Sequence, residues 1–216
     1  MNNEFCLELH KMLSDLPVYT VESLDKIPFV NGIYFVFEKN EEYHGYRRIV
    51  RVGTHDANNR LKERLSDHFR STSKASSIFI KNIGRTYLNM EDKDYIEIWD
   101  TKRSKLAEEK KIEYDAKRDI SKEKYYEKMA SDYIRNNMSV SVIRVEEYSC
   151  RDRFEDAIIS TLSHTDDFRC SQDWFGLHSP VEIIRNSGMW LTKGLNAKPL
   201  TQSEMDTLKT FISSSV

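Results

Sequence analysis

No stretch of this sequence stays apolar for the roughly 20 residues that a helix needs to cross a bilayer, so no membrane partner is expected. The first residues, MNNEFCLELHKMLSDL, are acidic and amphipathic, unlike a secretory leader. Cysteine is scarce. Cys6, Cys150 and Cys170 lie far apart and form no CxxC pair. That odd, scattered set argues against a disulfide framework and a cysteine zinc site, and a reducing, cytoplasmic setting is expected. Internal repeats and low-complexity tracts are absent as well. Net charge is nearly absent: 33 basic residues against 35 acidic ones leave −2. Taken alone, that balance argues mildly against a nucleic-acid partner.

What is present is core-forming material. Among 216 residues are 10 Phe, 11 Tyr and 3 Trp, with 39% hydrophobic residues overall, too many for a disordered chain. The length fits one domain over residues 1–216. Charge is unevenly placed. Residues 44–90 hold ten basic and three acidic residues, net +7, and the rest of the chain sums to −9. A local basic region is what phosphate binding requires, whatever the global charge. Arg47, Arg48, Arg60, Lys62, Arg70 and Lys74 are its candidate contacts to a nucleic-acid backbone.

Periodicity gives the outline. Residues 3–15 read as a helix. The run Gly32-Ile33-Tyr34-Phe35-Val36-Phe37 and residues 46–52 read as two strands of a hairpin. Gly53 ends the second strand, and residues 60–69 follow as a helix with Leu61, Leu65 and Phe69 on one stripe. Residues 76–88 read as another helix, 95–99 as a strand and 138–145 as a valine-rich strand. Residues 103–136 form a charged helical stretch in two pieces. Residues 151–164 are amphipathic, with Phe154, Ala157, Ile158, Thr161 and Leu162 on one face. A last helix falls near 201–213. The predicted fold is α+β, a small central antiparallel or mixed sheet flanked by helices.

Four places carry polar groups suited to phosphodiester cleavage. Tyr34 sits mid-strand, and a phenol can donate, accept or act as a base where cations favour its phenolate. Arg51 ends the second strand beside Gly53, where backbone can approach a phosphate closely. Arg60, Arg64 and His68 share one helix line beside the apolar stripe. Arginine offers a bidentate fork to phosphate oxygens, and His68 can relay a proton. Glu155 lies at the edge of a buried helix face. A rigid carboxylate there suits Mg²⁺, whose sites often use one or two carboxylates plus water and phosphate oxygens. Each residue also has a plain structural reading: a core tyrosine, an exposed arginine, a solvated helix face, a helix-start glutamate favoured by the macrodipole.

Taken in order, Gly32-Ile33-Tyr34, Arg51-Val52-Gly53-Thr54, Arg64-Leu65-Ser66-Asp67-His68-Phe69 and Phe154-Glu155-Asp156-Ala157-Ile158-Ile159 resemble the GIY-YIG nuclease pattern. The resemblance covers about residues 27–165. It divides the chain into a motif core at 27–90 and 137–165, a helical insertion at 91–136 and an aromatic extension at 166–216. It implies hydrolysis of DNA phosphodiester bonds with one Mg²⁺ or Mn²⁺. By that resemblance Tyr34 is the general base or its hydrogen-bond partner, Arg64 stabilises the phosphorane, His68 assists Arg64, and Glu155 holds the metal. Tyr34, Arg64 and Glu155 should then converge on one pocket. The family's second tyrosine is replaced here by Arg51, a cation that either favours Tyr34 as base or marks lost catalysis. Arg60 is a rival for the arginine role. The alternatives are a catalytically inactive nucleic-acid-binding module on the same scaffold, and a protein-interaction role for the charged helix. Restriction or defence, repair and mobile-element roles all fit a nuclease of this size, with a homodimer cutting both strands.

Overall fold

The computed structural model describes residues 2–216. Its centre is a three-stranded antiparallel sheet in the order β2-β1-β3, with β1 spanning Gly32–Tyr43, β2 Tyr46–Gly53 and β3 Met138–Arg144. The β1–β2 hairpin turns through His44 and Gly45, both at positive φ. Register pairs Tyr34 with Gly53 on one side and with Val142 on the other. Between Val36↔Arg51 and Phe37↔Ile49 the ladder slips, leaving Val50 as an extra residue in a β-bulge.

Because strand side chains alternate in direction, the sheet separates two cores. Ile33, Phe35, Phe37 and Ile143 face one of them. That face is covered by α1 (Asn2–Ser14), α7 (Tyr148–Ser163) and α9 (Gln202–Ser213). Tyr34, Val36, Val140 and Val142 face the other, covered by α2 (Leu61–Phe69), α3 (Ile78–Glu91) and α6 (Ile120–Asn137). In α2 the Leu61, Leu65 and Phe69 stripe is fully buried. Each such side chain contributes about 1.5–3 kcal/mol through burial, which holds α2 against the sheet. Three caps fix helix starts: Ser77 accepts from Ile80 N at α3, Asp119 accepts from Lys122 N at α6, and Thr201 forms a capping box with Glu204 at α9.

Residues 95–99, expected as a strand, are helical. Tyr95 closes a 3₁₀ turn, and α4 follows at Ile96–Asp100. The segment finds no strand to pair with. Trp99 instead packs on Gly84 of α3 and donates its Nε1–H to the Lys81 carbonyl at 3.1 Å. The charged stretch is solvated only in part. In α5 (Glu108–Lys117) just Tyr114 is buried, whereas α6 buries Tyr126, Ala130 and Ile134 and packs along α3. The aromatic tail closes the second core. Trp174 and Trp190 are buried in contact, and both indole N–H groups donate to one oxygen of the buried Glu38, at 3.0 and 2.9 Å. A short helix not expected from sequence, α8 (Glu182–Ser187), lies between them.

Candidate active site

Where β2 ends, a cleft of about 760 Å³ opens between the loop after Gly53, α2, the start of α3, α7 and residues 191–194. Arg51, Arg64 and Glu155 all line it, although they come from a strand and two helices far apart in sequence. Arg60, Asp67, Asp152, Asp156 and Lys193 line it too.

Arg51, opposite Val36, projects from β2 on the same sheet face as Tyr34, whose cross-strand partner is Gly53. Arg51 is 6% exposed, lies 5.1 Å from the centre of the Phe79 ring, and donates Nη1–H to the Trp190 carbonyl at 2.7 Å. Its Nε is buried without a hydrogen-bond partner. The guanidinium is thus an anchored, largely desolvated cation with one end at the cleft. The anchor comes from the tail: Trp190 N donates to the carbonyl of the bulged Val50 at 2.7 Å.

Arg64 and Arg60 differ in availability. Arg60 is exposed and forked onto Glu63, with Nε 2.8 Å from Oε2. Arg64 is half-buried and makes no side-chain hydrogen bond or ion pair among the described residues. It is the one free to grip an incoming anion with both arms.

Glu155 is half-buried on α7, with no hydrogen-bond donor to its carboxylate among the described residues. Burial pushes its pKa up to about 7, the Arg51 guanidinium opposes that rise, and Asp156 and Asp152 add to it. A carboxylate kept from water without donors is an oxygen ligand suited to a hard cation. No group of three His, Cys, Asp or Glu side chains able to hold a metal occurs among the described residues. Glu155 alone can supply one oxygen ligand to such a cation, with water and phosphate oxygens left to complete its shell.

Tyr34 and His68 sit below the cleft rather than on its wall. Both are 0% exposed, and neither lines the cavity. The Tyr34 hydroxyl lies 2.9 Å from His68 Nε2, and His68 Nδ1 lies 2.7 Å from Ser77 Oγ. Burial holds His68 well below its usual range, and Arg51 and Arg64 push the same way, so the ring is neutral. A neutral imidazole donates from one nitrogen and accepts at the other, so Tyr34, His68 and Ser77 form a chain with a single polarity. Gly53 caps the phenol. A Cβ there would sit 2.2 Å from the hydroxyl oxygen, so only glycine fits over it. Of the three residues expected in one pocket, Arg64 and Glu155 line the cleft and Tyr34 does not; it lies buried beneath.

The basic stretch 44–90 does not form a continuous phosphate-facing surface. Arg48 is fully buried, clamped on Glu41 at 2.5 Å and on the Gly188 carbonyl at 2.6 Å, out of reach of any backbone. Lys74 is tied to Glu123 at 2.9 Å and lies over Trp99. Arg70 forks onto Asp25, Arg47 stacks on Phe37, and Lys62 points to the Asp25 carbonyl. Of those six candidates only Arg60 lines the cleft. Arg48 and Lys74 are held within the fold, whereas Arg47, Lys62 and Arg70 make intrachain contacts at the surface.

Sequence reasoning missed His55 and residues 191–194. Gly32 N–H donates to His55 Nε2 at 3.3 Å, and His55 Nδ1–H donates to the Ala57 carbonyl at 2.5 Å. His55 therefore pins the loop between β2 and α2 to the start of β1. Lys193 reaches the cleft from more than 120 residues beyond α2, with no local signal to mark it.

A family model described as GIY-YIG domain matches residues 16–216. No curated protein and no solved structure matches the chain.

Proposed function

Because the chain belongs to the GIY-YIG family, a family of nucleases, we propose that it is a metal-dependent endonuclease hydrolysing phosphodiester bonds in DNA. The observation that carries this reading is the meeting of Arg64 and Glu155 in one cleft, with Arg51 beside them. An available guanidinium and an unpartnered carboxylate are the two charges that phosphoryl transfer needs.

Glu155 would hold one Mg²⁺ or Mn²⁺, which when bound supplies Lewis-acid stabilisation of phosphate charge. Arg64 receives the phosphate and stabilises the charge that builds on its oxygens, commonly the largest catalytic contribution. Arg51 adds a second positive charge at a fixed position. Tyr34 holds the proton economy of the site. Its phenol, paired with neutral His68, serves as base or hydrogen-bond partner for the attacking water. The phenol is covered by Gly53, so that role requires the backbone there to admit water. The role in the cell is restriction, defence or repair. Cutting both strands at once calls for two such clefts, as in a homodimer.

A second reading has its own support: a DNA-binding module without catalysis, favoured by Arg51 in place of the family tyrosine and by the covered Tyr34. One experiment separates the two. Plasmid, linear, branched and single-stranded DNA are incubated with the protein and Mg²⁺ or Mn²⁺, beside Glu155→Ala and Tyr34→Phe. Metal-dependent cleavage that disappears in Glu155→Ala, with its circular dichroism unchanged, supports the nuclease. Salt-sensitive binding without cleavage of any form supports the module.

A further inference from the structure

Charge lines the cleft on both sides. β2, the loop after it and α2 bring Arg51, Arg60 and Arg64, with Asp56 and Asp67 among them. The α7 side presents Asp152, Glu155 and Asp156. A nucleic-acid strand seated on Arg64 continues past the scissile phosphate in both directions. On the α7 side its next phosphates would face Asp152 and Asp156, which repel them. The single cation of the lining that comes from neither β2 nor the α2 region is Lys193.

The segment carrying Lys193 is held firmly on both sides. Before it, Trp190 is fully buried, and its backbone N–H and carbonyl are both bonded to β2, to Val50 and Arg51. After it, Gly194 takes φ +79 and packs on α7, where a Cβ would sit 3.0 Å from Asp156 Oδ1 and 3.0 Å from Ile159. Two α7 hydroxyls then fix the chain beyond: Ser163 Oγ–H donates to the Leu195 carbonyl at 2.8 Å, and Ser160 Oγ–H to the Ala197 carbonyl at 2.5 Å. Within this frame Lys193 is exposed and makes no ion pair or side-chain hydrogen bond among the described residues. A solvated lysine on an anchored loop, beside two carboxylates yet bonded to neither, is poised for an anion from outside.

We propose that Lys193 is a substrate-binding residue that contacts a DNA backbone phosphate flanking the scissile one, on the α7 side of the cleft. The inference rests on the nuclease reading above and adds a binding subsite supplied by the C-terminal segment. Lys193 sets where the strand leaves the cleft. It takes no part in the bond-breaking step, so its loss weakens binding without touching the chemistry at Arg64 and Glu155.

The test uses the full chain and a fluorescein-labelled duplex oligonucleotide, with Ca²⁺ in place of Mg²⁺ during binding. Affinity is measured by anisotropy across a salt series for the wild type, Lys193→Ala, Lys193→Arg and Lys198→Ala. Lys198 is exposed on the same segment but does not line the cleft. One phosphate contact contributes about 0.9 to the slope of log K against log salt on duplex DNA. Lys193→Ala should lower the slope by about that amount, while Lys193→Arg and Lys198→Ala keep it. With Mg²⁺, Lys193→Ala should raise KM severalfold at nearly constant kcat. A wild type that binds with a steep slope, matched by Lys193→Ala in slope and KM, overturns the subsite and leaves the nuclease reading standing. A wild type with neither salt-dependent binding nor cleavage overturns both.

Discussion

The Arg51 guanidinium donates to the main-chain carbonyl of Trp190 at 2.7 Å, joining the end of β2 to a residue 139 positions later. A tyrosine at 51 would not reproduce that donor geometry. In this chain the cation and the tail therefore belong together.

Replacing Arg51 with methionine separates the cation's role in activity from its role in folding. Removing the buried cation relieves its desolvation cost but leaves the Trp190 carbonyl without its donor, a loss of about 1–3 kcal/mol, so the net change in stability should stay within about that range. Cleavage should fall by about a hundredfold or more, the usual cost of losing a charge that stabilises the transition state. Thermal melts beside initial rates check this. An active Arg51→Met enzyme would show that the guanidinium is structural.

Glu155 makes metal-free stability depend on pH in a direction opposite to most carboxylates. Its folded pKa of about 7 lies above the unfolded value, so the folded state holds the extra proton. A penalty therefore grows as pH rises from the normal glutamate range through about 7. Glu155→Gln removes that penalty. In EDTA the variant should melt higher than the wild type at pH 8, with the gap closing toward pH 5. With Mg²⁺ the wild type should gain stability at pH 8 and the variant little, and cleavage should decline toward acid as protonation of Glu155 competes with the cation.

His10 provides an acid-sensitive joint away from the cleft. Ile49 N–H donates to its Nε2 at 3.3 Å, and its Nδ1–H donates to the Cys6 carbonyl at 2.7 Å. Burial pushes its pKa down to about 4. The unfolded chain thus takes up protons first, and stability should drop as pH falls from about 6.5 toward 4. His68, also buried neutral, acts in the same direction. Denaturant midpoints over that range should show a shallower decline for His10→Gln than for the wild type.

Arg48 offers a check on the basic stretch. Arg48→Met leaves the buried Glu41 without its cation and should cost about 3–5 kcal/mol. Removing both charges, as in the Arg48→Met/Glu41→Leu pair, should recover much of that loss. Because Arg48 reaches no surface, the salt dependence of DNA binding should not change in any variant that still folds. A reduced slope in the double variant would place Arg48 among the phosphate contacts after all.

Much of this architecture was legible because local rules and the tertiary answer agree. The Leu61–Leu65–Phe69 stripe, the Gly32–Phe37 strand and the α7 face each bury the residues their spacing marks. Arg64 and Glu155 were legible as well, since both sit one position from a buried stripe and so at the rim of the core. Three things were not. The Tyr95–Trp99 run has strand-like composition, but its fate was set by the space above Gly84. Arg47 and Arg48 are equivalent in a charge count, yet strand alternation sends one over Phe37 and the other into Glu41. Period two predicts that they part, not which one turns inward. Residues 190–194 owe their place to long-range contacts with β2 and α7, and nothing nearby in sequence records those contacts.

The bond between Trp190 and β2 also sets a schedule. A growing chain exposes Arg51, Arg64 and even Glu155 well before residues 190–194 have been made. Until then Arg51 lacks its carbonyl partner, Phe79 and Trp174 lack the indole that packs on them, and the wall carrying Lys193 does not exist. The cleft is therefore completed late, with only α9 and the residues around it still to come, and a chain interrupted before Trp190 would carry the motif residues without a finished site around them.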